Sequence, residues 1–212
     1  MRNIILIVII LFKTFSLIGQ EEHRQFSVAV LGFSNIRHLT EFDYIDESLR
    51  EEVTLALERM HSIDKNGSKR SSFRVVERKR IQEVLSELDF NLSEKVNDST
   101  AVEFGKHVGV ERVVLGSFLI EPNEQRVRIY IRIVSVETGV IQPYPYKKTA
   151  ELNNNFFDTL DEIIKEFIKH LKLKPDEATL NRISETTHTT RDLEAYKYLL
   201  KGIRHFDNNK PY

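Results

Sequence analysis

The stretch Phe73–Leu88, F-R-V-V-E-R-K-R-I-Q-E-V-L-S-E-L, decides the fold class of this chain. Its first four residues form a short apolar run that is typical of a strand. Ile81, Val84 and Leu85 then follow at the spacing of a helix with one apolar face. No glycine or proline separates the two segments, so the sequence predicts a strand that meets a helix at a tight corner. We expect Glu77 at the helix N-terminus, where an acidic side chain faces free N–H groups and the positive end of the helix dipole.

The composition limits the chemistry that the chain can perform. At 212 residues it can hold one full α/β domain and a smaller appendage. Lys+Arg 31 against Asp+Glu 32 gives no argument for a nucleic-acid partner, since such domains are usually strongly basic. Cysteine is absent, which excludes disulfides, thiolate metal sites, cysteine nucleophiles and a lipid-accepting cysteine.

The N-terminal residues have the pattern of a signal peptide. Met1–Asn3 is a short positive segment, Ile4–Phe12 is continuously apolar, and Gly19 offers a small residue before Gln20. We therefore predict a signal peptide over 1–19 and an exported protein, either periplasmic or associated with the outer membrane. The alternative is an uncleaved anchor, but a span needs about 20 apolar residues and Lys13 interrupts this run. Gln20 stands where a lipoprotein would have its cysteine, so we expect no lipid anchor.

The first part of the chain predicts a buried strand followed by a helix. Phe26–Phe33 is a mostly apolar run of the kind that is buried on both faces of a sheet. A loop is expected from Ser34 and Asn35 to Asp43. A helix is predicted from Glu47 to 60, and the polar residues 64–72 read as an exposed turn.

The second part predicts three more strands and the most strongly amphipathic helix. Val113–Ile120 reads as a second buried strand, and Arg126–Val136 alternates polar with apolar residues, as a strand with one apolar face does. Val140–Ala150 contains two prolines, which suits an edge strand. Phe156–Leu171 completes the domain as a helix. The fold class is α/β: a mixed sheet of about five strands with helices packed on it, within residues 20–173.

The C-terminal part of the chain reads as a separate helical segment. Residues 174–190 are polar and are predicted to be a linker. Residues 191–212 resemble the first helix of a tetratricopeptide repeat, which needs a second helix to bury its apolar face. We therefore expect the sequence to be a fragment of a longer repeat-bearing protein.

The sequence contains no recognisable catalytic or cofactor motif. Neither common phosphate-binding loop occurs, the seven histidines are scattered, and no paired metal-ligand spacing is present. The acidic pairs Asp46-Glu47 and Asp161-Glu162 are interpreted as solvated charges on helix surfaces. We predict that the protein is not an enzyme and has no catalytic residues, no cofactor and no metal.

Seven residues are candidate partner contacts. Arg126, Arg128 and Arg132 fall on one face of a predicted strand, which indicates either a solvated surface or a surface for an anionic partner. The other four lie at predicted strand ends: Ser34, Asn35, Glu77 and Arg78. A small molecule held near Ser34, Asn35 and Glu77 is the alternative for these strand ends. Nucleic acid is not expected, because export would remove access to it.

Several segments together resemble the CsgG-like superfamily of envelope proteins. This superfamily includes CsgG, FlgO and LpoB, and it looks similar to the N-terminal domain of TolB. The segments that carry the resemblance occur in the expected order between Phe26 and Leu171: Val28–Phe33, Phe73–Arg78, Ile81–Leu88, Ala101–Gly109, Val113–Ser117 and Arg132–Gly139. The resemblance implies an α/β domain that acts by binding and assembly.

The resemblance also indicates where this chain departs from secretion channels. This chain lacks the lipidated cysteine of the secretion channels, and its Glu121–Gln125 turn is too short for a membrane-spanning hairpin. The leading hypothesis is an exported, non-catalytic adaptor that binds envelope proteins, with self-association as an option and at most peripheral membrane contact. The alternative is a periplasmic small-molecule-binding or sensory domain. An enzymatic function is the third hypothesis.

Overall fold

A computed structural model describes residues 25–63, 68–88, 98–121, 123, 125–153, 155–170, 178, 180–181 and 190–208. The predicted signal peptide and most of the predicted linker lie outside the described residues.

A five-stranded mixed sheet forms the centre of the fold, as the sequence predicts. Its strands are β1 (Phe26–Asn35), β4 (Phe73–Val75), β5 (Arg112–Glu121), β6 (Arg126–Ser135) and β7 (Ile141–Glu151). The strand order is β4-β1-β5-β6-β7, with β1 parallel to both of its neighbours and β5, β6 and β7 antiparallel. The apolar run of β1 is buried because parallel strands are covered on both faces.

Five α-helices surround the sheet within the described part of the chain: α1 (Tyr44–Arg59), α2 (Arg78–Glu87), α3 (Asp98–Val108), α4 (Phe156–His170) and α5 (Leu193–Asn208). One sheet face packs on α1, α4 and α5, and the alternate residues Val127, Ile129 and Ile131 of β6 point into that layer. The opposite face packs on α2 and α3. None of the described helices combines the length and the apolar character that a membrane span requires.

Two glycines with a positive φ follow elements of the fold. Gly109 follows α3 with φ +74, and Gly139 lies between β6 and β7 with φ +68. Both values belong to the left-handed region, which side chains with a Cβ rarely adopt. β7 is one of the two edge strands, as predicted, and its register against β6 shifts between Ile131 and Ile133, near its two prolines.

Three local expectations were wrong. Residues 69–71 are not part of an exposed turn, because β3 (Lys69–Ser71) pairs antiparallel with β2 (His61–Ile63). This pairing depends on hydrogen bonds between segments that are separate in sequence, which local composition does not reveal. The predicted loop at Ser34 and Asn35 belongs to β1, and the helix expected from Glu47 begins three residues earlier, as the bounds above show.

The C-terminal helix α5 packs on the domain. Leu193, Tyr196 and Leu200 are buried in the main core, and the Tyr196 ring meets Phe157 edge to face at 5.1 Å between centroids. This helix face is therefore buried without a second repeat helix, contrary to our expectation. Its assignment to a tetratricopeptide-like region stays a prediction.

Candidate functional site

The corner between β4 and α2 is held by a buried acidic residue of α1. Glu77 is the exposed N-cap of α2 and makes no side-chain capping hydrogen bond. Arg78 binds Oε1 of Glu47 at 2.5 Å, and Arg50 binds the same oxygen at 3.1 Å. Because the Glu47 side chain is only 8% exposed, the expectation of a solvated surface charge was wrong. Arg78 therefore joins α2 to α1.

The neighbouring acidic residue also has a structural role. Oδ1 of Asp46 accepts a hydrogen bond from the backbone N–H of Phe33 at 2.6 Å, which ties α1 to β1. Asp161, of the other acidic pair, is buried. The interpretation as solvated charges was therefore wrong for Asp46, Glu47 and Asp161, which tertiary packing brings against backbone and core, whereas Glu162 is 64% exposed as expected.

The candidates at the strand ends do not form one site. Nδ2 of Asn35 donates to the carbonyl of Leu39 at 2.9 Å and to Asp43 at 3.3 Å, so it closes the loop after β1. Val28 pairs with Val75, and Asn35 lies seven residues beyond that pair on β1. Glu77 is only two residues beyond it on its own strand, so the two are roughly 17 Å apart at the rise of an extended chain. Ser34 adjoins Asn35, and the small-molecule site expected between these strand ends is not formed.

The three arginines of β6 share one sheet face, as predicted, but each has an acidic neighbour. Arg128 binds Glu121 at 2.5 Å, and Arg126 lies 3.7 Å from the same carboxylate. Arg132 lies 3.4 Å from Asp98, the first residue of α3. Much of the positive charge is therefore compensated within the chain. These contacts weaken the interpretation of this face as a surface for a strongly anionic partner.

Next to these arginines, part of one sheet face is not covered by any described helix. In the antiparallel register Leu119 lies opposite Arg128, and Tyr130 lies opposite Lys147. Leu119 and Tyr130 are half-buried, whereas Lys147 and Thr149 are exposed. Helices α2 and α3 pack against the other ends of these strands, around Val113 and Val134. The described helices therefore do not bury this part of the sheet face. We call Ser117, Leu119, Arg128, Tyr130, Lys147 and Thr149 the open sheet face.

A cavity of about 480 Å³ lies between α1 and α2. We call it the α1–α2 cavity; its lining residues are Val30 from β1, Arg50, Glu51, Thr54, Leu55 and Glu58 from α1, Val76 and Arg78 from the corner, and Ile81, Gln82 and Leu85 from α2. Of the seven sequence-predicted candidates, Arg78 alone contributes to it. The lining residues of α1 were not among the candidates predicted from the sequence. Their spacing of three and four residues on one stripe of α1 was the available signal, but a polar stripe on a helix is usually solvated surface.

Glu51, at the wall of the cavity, has a carboxyl group with a shifted pKa. Burial raises the pKa of its carboxyl, and the nearby Glu47 raises it further, while Arg78 and Arg50 act in the opposite direction. Within the described part of the chain, no group of three or more histidine or acidic side chains could hold a metal ion.

A comparison with known families shows the family to which this chain belongs. The family model described as "Curli production assembly/transport component CsgG" matches residues 14–120. The chain belongs to the CsgG family. The match spans half of the chain and includes β1, α1, the corner and most of β5, so the resemblance stated from the sequence is confirmed. The β6 arginines lie outside it.

Several solved structures are similar to this CsgG-family chain. The lipoprotein GNA1162 from Neisseria meningitidis shares 11% identity with a TM-score of 0.46, over 76% of this chain and 99% of that one. The LpoB C-terminal domain from Salmonella enterica shares 14% identity with a TM-score of 0.37, over 65% and 91% of the two chains. A PelC dodecamer from Paraburkholderia phytofirmans shares 12% identity with a TM-score of 0.39, over 71% and 89%. These scores are too low to support a conclusion about function. No curated protein matches the sequence.

Proposed function

We propose that this CsgG-family protein is an exported, non-catalytic component of the cell envelope that binds other envelope proteins in an assembly or adaptor role. The family match over residues 14–120 carries the proposal. The signal-peptide pattern at 1–19 supports export to the periplasm or the outer membrane.

The open sheet face is the surface that we assign to partner binding. It combines half-buried Leu119 and Tyr130 with exposed Lys147 and Thr149. Lys147 lies over the Tyr130 ring, with its Nζ 5.7 Å from the ring centroid. A partly apolar centre with aromatic and cationic groups and a polar margin is typical of protein interfaces. Because the nearby arginines are already paired, the partner need not be strongly acidic.

Affinity capture with matched lysine variants tests this role. Lys147→Glu reverses a charge on the open sheet face, and Lys169→Glu makes the same change on the exposed side of α4. Wild-type protein and K169E should recover the same envelope protein from a membrane extract, and K147E should recover at least about five-fold less. Equal recovery by all three proteins would exclude the open sheet face as the binding surface. The failure of wild-type protein to recover any partner would contradict the adaptor role.

A second candidate function is small-molecule binding or sensing. The α1–α2 cavity favours it, because its volume of about 480 Å³ lies in the range of ligand pockets. This cavity differs from the strand-end location that the sequence indicated.

A further inference from the structure

The α1–α2 cavity combines an apolar floor with charged walls. Val30, Ile81 and Leu85 are each less than one-tenth exposed, and all three line the cavity. Ligand sites commonly have this composition, in which an apolar body is buried and a few polar groups fix its orientation. The inference below rests on the second candidate function and is independent of protein binding at the open sheet face.

The charge that the cavity can offer to a ligand is negative. Its two guanidinium groups, from Arg50 and Arg78, both bind the single oxygen Oε1 of Glu47. Two carboxylates line the cavity, Glu51 and Glu58, and neither forms an ion pair or a hydrogen bond with the described residues. The lining therefore holds two guanidinium groups and two carboxylates, but both guanidinium groups are paired with Glu47, which lies outside the lining. The two lining groups without an ion pair are both acidic.

Glu51 is the better placed of the two to anchor a ligand. It is half-buried at the cavity wall, whereas Glu58 is exposed to solvent. A half-buried carboxylate without an ion-pair partner loses hydration, and for Glu51 the influence of Arg78 and Arg50 does not offset this loss, which makes the ionised form unfavourable. A cationic group placed beside it would restore the missing interaction.

We propose that the α1–α2 cavity binds a small cationic amphiphile, a primary ammonium on an aliphatic or aromatic body. The ammonium group pairs with Glu51, and the body packs on Val30, Ile81 and Leu85. No covalent step is involved.

The electrostatics of Glu51 give this site a pH dependence. The pKa of its carboxyl is raised by burial, by Glu47 and by Glu52, against the influence of Arg78 and Arg50. Glu58 also faces the cavity. The ammonium requires the ionised carboxylate, so affinity should fall as the pH decreases through the Glu51 pKa. A bound cation should in turn lower that pKa.

Three probes with the same body and different head groups test the proposal on the purified chain. Octylammonium, 1-octanol and octanoate would be titrated below their aggregation concentrations and followed by NMR chemical shifts. Octylammonium should bind at least about ten-fold more tightly than octanol, since charge-assisted hydrogen bonds contribute more than this factor. Each methylene removed from the alkyl chain should weaken binding about four-fold.

Two matched variants separate binding from folding. Glu51→Gln should weaken octylammonium binding about ten-fold and leave octanol unaffected, whereas Glu83→Gln, on the outer side of α2, should change neither affinity. Because Glu51 has no ion-pair partner, E51Q should fold at least as stably as wild type at neutral pH. Gln82→Trp should block the cavity from its exposed margin and abolish binding of every probe that wild type binds.

The outcomes distinguish the proposal from the function on which it rests. Equal binding of octylammonium and octanol, preference for octanoate, or full octylammonium affinity in E51Q would overturn the cationic-ligand proposal. In the first two cases the cavity would still be a small-molecule site. Absence of binding by all three probes would overturn the proposal and remove the support for the second candidate function.

Discussion

Replacing Gly116 with alanine should destabilise the sheet strongly. Gly116 lies on β5, between Phe33 of β1 and Ile131 of β6 in the strand register. A Cβ at this position would come closer than 3.0 Å to the Phe33 ring and to the backbone carbonyl of Tyr130. Phe33 is only 2% exposed, so its ring has little room to move, and the carbonyl belongs to the neighbouring strand.

The size of the effect follows from these two contacts. Overpacking a well-filled core costs about 1–3 kcal/mol, and a clash that includes backbone should fall at the upper end, at about 3 kcal/mol. For a chain of this length that corresponds to a decrease in Tm of about 6–12 °C. Thermal and urea denaturation followed by circular dichroism would measure both values.

Gly202→Ala is the matched control. Gly202 lies on the exposed side of α5, and a Cβ there meets nothing within 4 Å. Because alanine favours a helix over glycine, G202A should be neutral or stabilise α5 by up to about 1 kcal/mol. A Gly116→Ala variant within about 0.5 kcal/mol of wild type would refute the close approach of β1, β5 and β6.

Three further changes test individual contacts. Glu47→Gln should lower the free energy of unfolding by about 2 kcal/mol in urea denaturation, because it weakens the ion pairs of this side chain with Arg78 and Arg50. Unchanged stability would contradict the link between α1 and α2. Tyr146→Phe should raise the Glu166 pKa towards its ordinary value in an NMR titration, because the Tyr146 hydroxyl donates to this carboxylate and holds its pKa low. Because the Glu166 pKa is lowered in the folded protein, this contact stabilises the fold at pH values above the ordinary carboxyl pKa, and the stabilisation is lost as the pH falls through the Glu166 pKa of the folded protein. An unchanged Glu166 pKa in the variant would contradict the hydrogen bond from Tyr146. Tyr196→Ala should weaken α5 docking by about 3 kcal/mol and expose α5 to limited proteolysis, and equal protease resistance would contradict its packing.

The fold was predictable where local pattern and tertiary structure agree. The alternation of β6 requires one apolar face, and the structure buries Val127 and Ile129 on that face. The strand–helix corner at Phe73–Leu88 formed as expected because its apolar spacing changes from strand to helix within one short segment. These patterns depend on neighbours in sequence, which a single chain displays directly.

The candidate site was largely unpredictable because its contacts are distant in sequence. Glu47 precedes Arg78 by 31 residues, and a charged residue on a helix usually faces solvent. The cavity exists only because α1 and α2 lie side by side, which no local pattern specifies. The same reason explains the missed β2–β3 pairing and the docking of α5. The signal peptide and the helical repeat stay predictions.

Site-specific photo-cross-linking in intact cells tests the central claim, protein binding at the open sheet face, most directly. A photoreactive phenylalanine analogue would replace Thr149 on this face and, as the control, Lys169 on α4, both of which are exposed. We predict one discrete adduct with an envelope protein, or with a second copy of this chain, from position 149 and none from position 169. Equal adducts from both positions, or none from position 149 in folded protein, would contradict the assignment of this face as the binding surface.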